Sequence, residues 1–208
     1  METVLITAFE AFNQDEENPT ESILALIPDF LYNAKVIKKT LPVVYGDAFN
    51  AIEALIEKEK PKVILMLGLA AGRTHISLER IAINCVDAKI PDNKGIIISN
   101  TKIIETGEDG FMTNLPLDIL MKRLRQKKLP VSISNTAGTY VCNQLMYQVL
   151  HKIKQEKLAS LAGFIHVPYL PHQVLDKPTT PSLQRSLMVD ALMTIIDELI
   201  NPLVTPKP

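Results

Sequence analysis

The chain has 208 residues, 47% of them apolar and 22% charged, with a formal net charge of −1. That length and composition suit a single globular domain with its own core. No basic field is present to hold a phosphate backbone, no apolar run approaches the roughly 20 residues that span a bilayer, and the first residues, METVLITAFE, lack a basic n-region, so nucleic-acid binding, membrane spanning and export are not expected.

In chain order, residues 4–9 read as a strand and 21–26 as a short helix. A second strand runs over 35–44, closed by Pro42. Residues 48–58 form a helix with Ile52, Leu55 and Ile56 on one side. The continuous apolar run 63–67 suits a strand buried on both faces. Residues 76–86 read as a further strand. The stretch 92–114 mixes turn residues with short apolar pieces and reads as a long excursion containing a hairpin, a length often tied to function. Leu117, Leu120 and Leu124 recur at helical spacing, with Pro116 inside the start and Lys127 and Lys128 in the last turn. Residues 131–135 predict a strand, 142–153 a helix and 163–167 a strand. A last helix begins at Thr180-Pro181 and stops before Pro202. This alternation predicts a largely parallel sheet with helices on both faces, in one domain over 1–208.

Three segments carry candidate chemistry. In the first, 134–143, a strand ends, Gly138 turns the chain and a helix begins. Thr139 is the expected N-cap, which places Cys142 in the first helical turn. Free N–H groups there favour a thiolate and can hold an oxyanion. Cys142 also shares a helix face with Met146, Val149 and Ile153, so packing is the competing role. In the second, His166 stands near the end of an apolar strand that Pro168 stops. It is either a base able to take a thiol proton or a hydrogen-bonded core histidine. In the third, period two puts Glu79 on one face with Ile81 and Ile83. A carboxylate there needs a partner, either an imidazole to orient or a cation such as Arg73 or Arg80. The glycines at 68 and 72 match neither the dinucleotide nor the P-loop spacing, and no metal-ligand spacing is present, so no cofactor or metal is expected. Cys85 reads as strand packing. His151 reads as the exposed end of a helix, His75 and His172 as loop residues.

Together these segments resemble pyroglutamyl-peptidase I (pyrrolidone-carboxylate peptidase). The residues that carry the resemblance are 68–84 (GLAAGRTHISLERIAIN), 87–93 (DAKIPDN), 135–143 (NTAGTYVCN) and 163–169 (GFIHVPY), with Asn18-Pro19-Thr20 and Leu41-Pro42-Val43-Val44. They cover nearly the whole chain in order. The resemblance implies a three-layer α/β/α sandwich, a catalytic triad of Cys142, His166 and Glu79, no cofactor, and a cytoplasmic homotetramer. It implies hydrolysis of the amide bond after an N-terminal pyroglutamyl residue, through a thioester. The implied substrate-binding positions are Phe9, Phe12, Asn18, Leu69, Lys89, Ile90, Tyr140 and Val141. Ala8, Ala11 and Asn13 depart from the family's usual first loop, and Lys89 replaces its usual arginine. Two other functions share these residues: a related cysteine amidase with another substrate range, and a non-catalytic binding protein on the same scaffold.

Overall fold

Period-two alternation in the first strand, β1 (Glu2–Phe9), sends Val4, Ile6 and Ala8 into one core and Leu5 and Phe9 into another. The computed structural model describes residues 1–202. After β1 come α1 (Pro19–Leu26), β2 (Phe30–Leu31), β3 (Ala34–Leu41), α2 (Asp47–Glu59) and β4 (Val63–Leu69). Then follow β5 (Ile76–Glu79), β6 (Ile81–Ile83), β7 (Gly110–Met112), α3 (Leu117–Gln126), β8 (Val131–Ser134), α4 (Val141–Gln155), β9 (Leu161–Val167) and α5 (Arg185–Ile200).

The main sheet has seven strands in the order β2-β3-β1-β4-β9-β5-β8. Pairing is parallel from β3 through β1 and β4 to β9, and again between β5 and β8. It is antiparallel at β2–β3 and at β5–β9. Helices α1, α3 and α5 share one core with Val63, Leu65 and Leu67 of β4. Helices α2 and α4 share the other with Ile64 and Met66. Every residue of β4 is buried, as its unbroken apolar run requires for a central strand. The architecture is therefore the three-layer α/β/α sandwich.

Several boundaries differ from the sequence reading. The strand expected over 35–44 ends at Leu41, because Pro42 cannot donate to the ladder. The strand expected over 76–86 is two strands. β5 belongs to the main sheet and stops at Glu79, and β6 pairs with β7 in a separate ribbon. Cys85 thus lies outside any strand, partly exposed. The excursion holds no two-stranded hairpin of its own. It forms an arm that folds back through the Val86–Thr101 bridge and the bonds Ala88 N–H to Ile98 O (3.0 Å) and Asp92 N–H to Ile96 O (2.9 Å). Helix α1 begins at Pro19, because the Asn18 side chain accepts from Thr20 N–H and caps it. Pro116 is the residue before α3 rather than inside it. The last helix begins at Arg185 rather than Thr180, since Ser182 is bridged to Tyr169 and Leu183 N–H donates to Tyr169 O (2.8 Å). His151 sits within α4, partly buried, stacked on Tyr147 at 6.2 Å.

Ile195 of α5 is fully buried against the sheet. Ile195→Ala is expected to destabilise the fold by about 2–5 kcal/mol, read as a lower urea midpoint with an unchanged m-value.

Candidate active site

Strand direction brings the site together. β4 and β9 run in register with Gly68 opposite His166. β5 runs the other way along β9 with Ser77 opposite His166. Period two then places Ser77 and Glu79 on the same face as Phe164 and His166. That is the face covered by α2 and α4. The Nδ1 of His166 lies 2.8 Å from Oε1 of Glu79, with both side chains buried. A carboxylate accepts, so Nδ1 carries the proton and Nε2 is left as the free lone pair. The same Oε1 accepts from Nη1 of Arg73 at 2.5 Å. Both partners weighed for Glu79, an imidazole and Arg73, are therefore present. Arg80, the other cation weighed, lines a separate groove with Met112 and Leu117. Ile81 and Ile83, expected beside Glu79 on one strand face, sit in the other ribbon.

Cys142 is the second residue of α4. The helix starts one residue earlier than expected, and Tyr140, not Thr139, precedes its first turn. Thr139 instead donates its hydroxyl to Asp87 O at 2.6 Å. The Sγ of Cys142 faces Gly68. A Cβ built on Gly68 would lie 3.1 Å from Sγ and 2.7 Å from two atoms of the Phe164 ring. Gly68 is thus required by close approach, not by a phosphate. The Phe164 ring packs on His166 with centroids 4.7 Å apart. Cys142, His166 and Glu79 therefore gather on one sheet face around a residue with no side chain.

The electrostatics differ from the expectation of a thiolate. Protein packed around Cys142, and then the charge of Glu79, push its thiol up to about 12. Its own backbone N–H and Arg73 act the other way and do not prevail. Burial lowers the pKa of His166 from its ordinary value, against the raising effect of Glu79. Both shifts favour the neutral forms, a thiol and an imidazole.

A cavity of about 40 Å³ opens at Cys142. Phe9, Phe12, Asn18, Val43, Leu69, Tyr140 and Val141 line the rest of it. Six of these were singled out from sequence. Val43 was not, because its strand was expected to continue. Lys89 and Ile90 do not line the cavity. Both are exposed and lie between the arm's bonds at Ala88 and Asp92. The arm still reaches the site through Tyr140, whose hydroxyl donates to Pro91 O at 3.0 Å. Phe12 and Tyr45 both pack on Tyr140, with ring centroids 6.2 and 5.5 Å away. Asn18 is buried and donates to Glu10 O at 3.1 Å, which fixes the first loop. In that loop Asn13 (φ 52) and Gln14 (φ 68) adopt left-handed backbone, and Ala8 sits in regular strand.

Other supporting residues escaped the sequence reading. Asp92 accepts from the N–H groups of Tyr45, Lys94 and Ile96. Asn93 donates to Glu10 Oε1 (2.8 Å) and Ala11 O (2.9 Å), tying the arm to the first loop. Asn143 accepts from Ile83 N–H and donates to Ile83 O and Cys85 O, which anchors the start of α4. A buried polar side chain beside a candidate nucleophile was the available signal. Among the described residues, no group of His, Cys, Asp and Glu is arranged to hold a metal, and no helix is long and apolar enough to cross a membrane.

Two outcomes are expected. Gly68→Ala should lose about 1–3 kcal/mol of stability through overpacking against Phe164 and Sγ, read as a lower Tm. Iodoacetamide should label Cys142 slowly at neutral pH, with a rate still rising through the alkaline range where an ordinary thiol, with a pKa of about 8.5, levels off. A plateau at acid pH would show a resting thiolate instead.

Known proteins resemble the chain along nearly its whole length. A family model described as pyroglutamyl peptidase matches residues 2–201. The pyrrolidone-carboxylate peptidase of Thermosipho africanus is 41% identical over 198 residues, covering 95% of this chain and 97% of that protein. That of Thermococcus onnurineus is 42% identical over 193 residues, covering 93% and 96%. A solved structure described as pyrrolidone carboxyl peptidase from the hyperthermophile Pyrococcus furiosus and its cysteine-free mutant matches with a TM-score of 0.92 at 37% identity, covering 95% of this chain and 98% of that one.

Proposed function

The chain belongs to the pyroglutamyl peptidase family, and from that premise we propose that it removes N-terminal pyroglutamyl residues from peptides with Cys142 as nucleophile, His166 as base and Glu79 as the group that orients the base. The observation that carries this reading is the His166 Nδ1 to Glu79 Oε1 bond of 2.8 Å, on the face that Cys142 enters. The bond holds the tautomer in which Nε2 can accept a proton.

The chemistry follows from the protonation states. The thiol is neutral at rest, so it must lose its proton as it reacts. His166 Nε2 takes the proton from Cys142 Sγ while sulfur bonds to the pyroglutamyl carbonyl carbon. The backbone N–H groups at the start of α4 are available to the oxyanion. The imidazolium then gives its proton to the leaving amine as the C–N bond breaks, leaving a thioester. Water, deprotonated by His166, attacks the thioester, and the thiol is regenerated with pyroglutamate. Glu79 stabilises the imidazolium in both halves. No charged side chain lines the cavity, and aromatic rings make up much of its wall. Such a wall suits a neutral lactam ring with no free α-amino group better than an ammonium ion. The thioester route, the cytoplasmic location and the homotetramer implied by the resemblance belong to this same proposal.

A chromogenic pyroglutamyl amide provides the assay. Cys142→Ser is expected to lower kcat at least about 1,000-fold, and Glu79→Gln about 100- to 10,000-fold, with folding retained. The acid limb of kcat/KM reports His166 in the free enzyme. Burial lowers that pKa, so the limb is expected below the ordinary imidazole value of 6.5. Full turnover by Cys142→Ser would overturn the proposal.

A further inference from the structure

We infer that Arg73 is a positioning residue for this reaction, holding Glu79, and through it His166, by the one carboxylate oxygen that the two side chains share. The inference rests on the function proposed above and deepens it.

Arg73 lies in the loop after β4, where Gly72 takes φ +85 and Arg73 N–H closes a turn on Ala70 O at 3.3 Å. Its guanidinium makes two bonds. Nη1 donates to Glu79 Oε1 at 2.5 Å and Nη2 donates to Thr136 O at 3.0 Å. The planar fork therefore ties the carboxylate to the segment that leads into α4 and Cys142. A lysine would offer a single nitrogen in place of the two that reach these separate acceptors. The second oxygen of Glu79, Oε2, has no hydrogen-bond partner among the described residues. With His166 as its sole partner, the carboxylate could rotate and offer either oxygen. Two donors converging on Oε1 fix its plane, and with it the direction of the imidazole.

Charge acts alongside geometry. The titratable and charged groups facing Glu79 are His166 from β9, Arg73 from the loop after β4 and Cys142 from α4. The positive charge of Arg73 opposes protonation of His166 and favours ionisation of Cys142. The first keeps the imidazole unprotonated at rest while making it a weaker base, and the second eases the loss of the thiol proton. The Glu79 side chain has no exposed surface, whereas that of Arg73 keeps 28% of its own. The cation thus closes the solvent side of the carboxylate.

The test compares Arg73→Gln, Arg73→Met and Arg73→Lys with wild type and Cys142→Ser on a pyroglutamyl p-nitroanilide. In Arg73→Gln, kcat is expected to fall about 10- to 100-fold with KM changed less than about twofold. The acid limb of kcat/KM should move to higher pH, because His166 loses a neighbouring positive charge. Arg73→Met serves in its place if the glutamine variant does not fold. Arg73→Lys keeps the charge, so its acid limb should stay at the wild-type position while kcat recovers in part. Wild-type kcat in the glutamine or methionine variant overturns the inference. So does a fall in kcat with an unmoved acid limb, which assigns Arg73 to loop structure alone. Turnover by Cys142→Ser, or none by wild type, overturns the proposed function instead, whatever the Arg73 variants do.

Discussion

A carboxylate with no exposed side-chain surface lies among the strands of this sheet, and the surrounding residues are arranged to make that tolerable. Removing a carboxylate from water costs several kcal/mol unless it is paired and hydrogen-bonded. Glu79 receives a ring N–H from His166 and a guanidinium N–H from Arg73 on the same oxygen. That arrangement sets the tautomer of His166, draws the loop after β4 inward and ties it to the segment before Cys142. Each of these depends on the others, because losing one donor leaves a buried charge with a single partner.

The sheet is built to make the pairing possible. β5 runs antiparallel to β9 with Ser77 opposite His166, and period two keeps Glu79 on the face of the histidine. Cys142 enters from the helical layer on that face, and Gly68 clears the space for its sulfur and for the Phe164 ring. Dense packing carries a chemical cost. The neighbours that position the thiol also withdraw it from water, which pushes its pKa up against the influence of the helix terminus. Burial lowers the pKa of His166, which favours the neutral imidazole that the proposed proton transfer needs.

The pocket is held from two sides. The first loop is fastened by Asn18 and Glu10, and the arm of residues 86–101 by Asp92 and Asn93. Tyr140 joins them, with its hydroxyl on Pro91 and its ring against Phe12 and Tyr45. Asparagine and glutamine take left-handed backbone at 13 and 14. Asparagine tolerates this with its short polar side chain, while glutamine does so at some strain. Lys89 and Ile90 are exposed and do not line the cavity.

The sequence by itself determined the alternation of elements and the central position of β4, and it singled out the candidates for the reactive residues. These are local or periodic signals: an unbroken apolar run, a cysteine at a helix start, a histidine at a strand end and a carboxylate in an apolar segment. Pro42 closed a strand in both readings, though one boundary slipped past it. Only the tertiary structure decided which partner Glu79 takes, and it takes both, because His166 is brought by β9 and Arg73 by the loop after β4. The alternation of elements implied a largely parallel sheet, but the reversal of β5 was illegible, since a strand carries the same alternation whichever way it runs. The split of 76–86 into two sheets turned on partners far away in the chain, at Ser134 and Met112. The protonation of Cys142 also lay beyond the sequence. The helix start was visible there, but the packing that outweighs it exists only once the layers have closed over the sulfur.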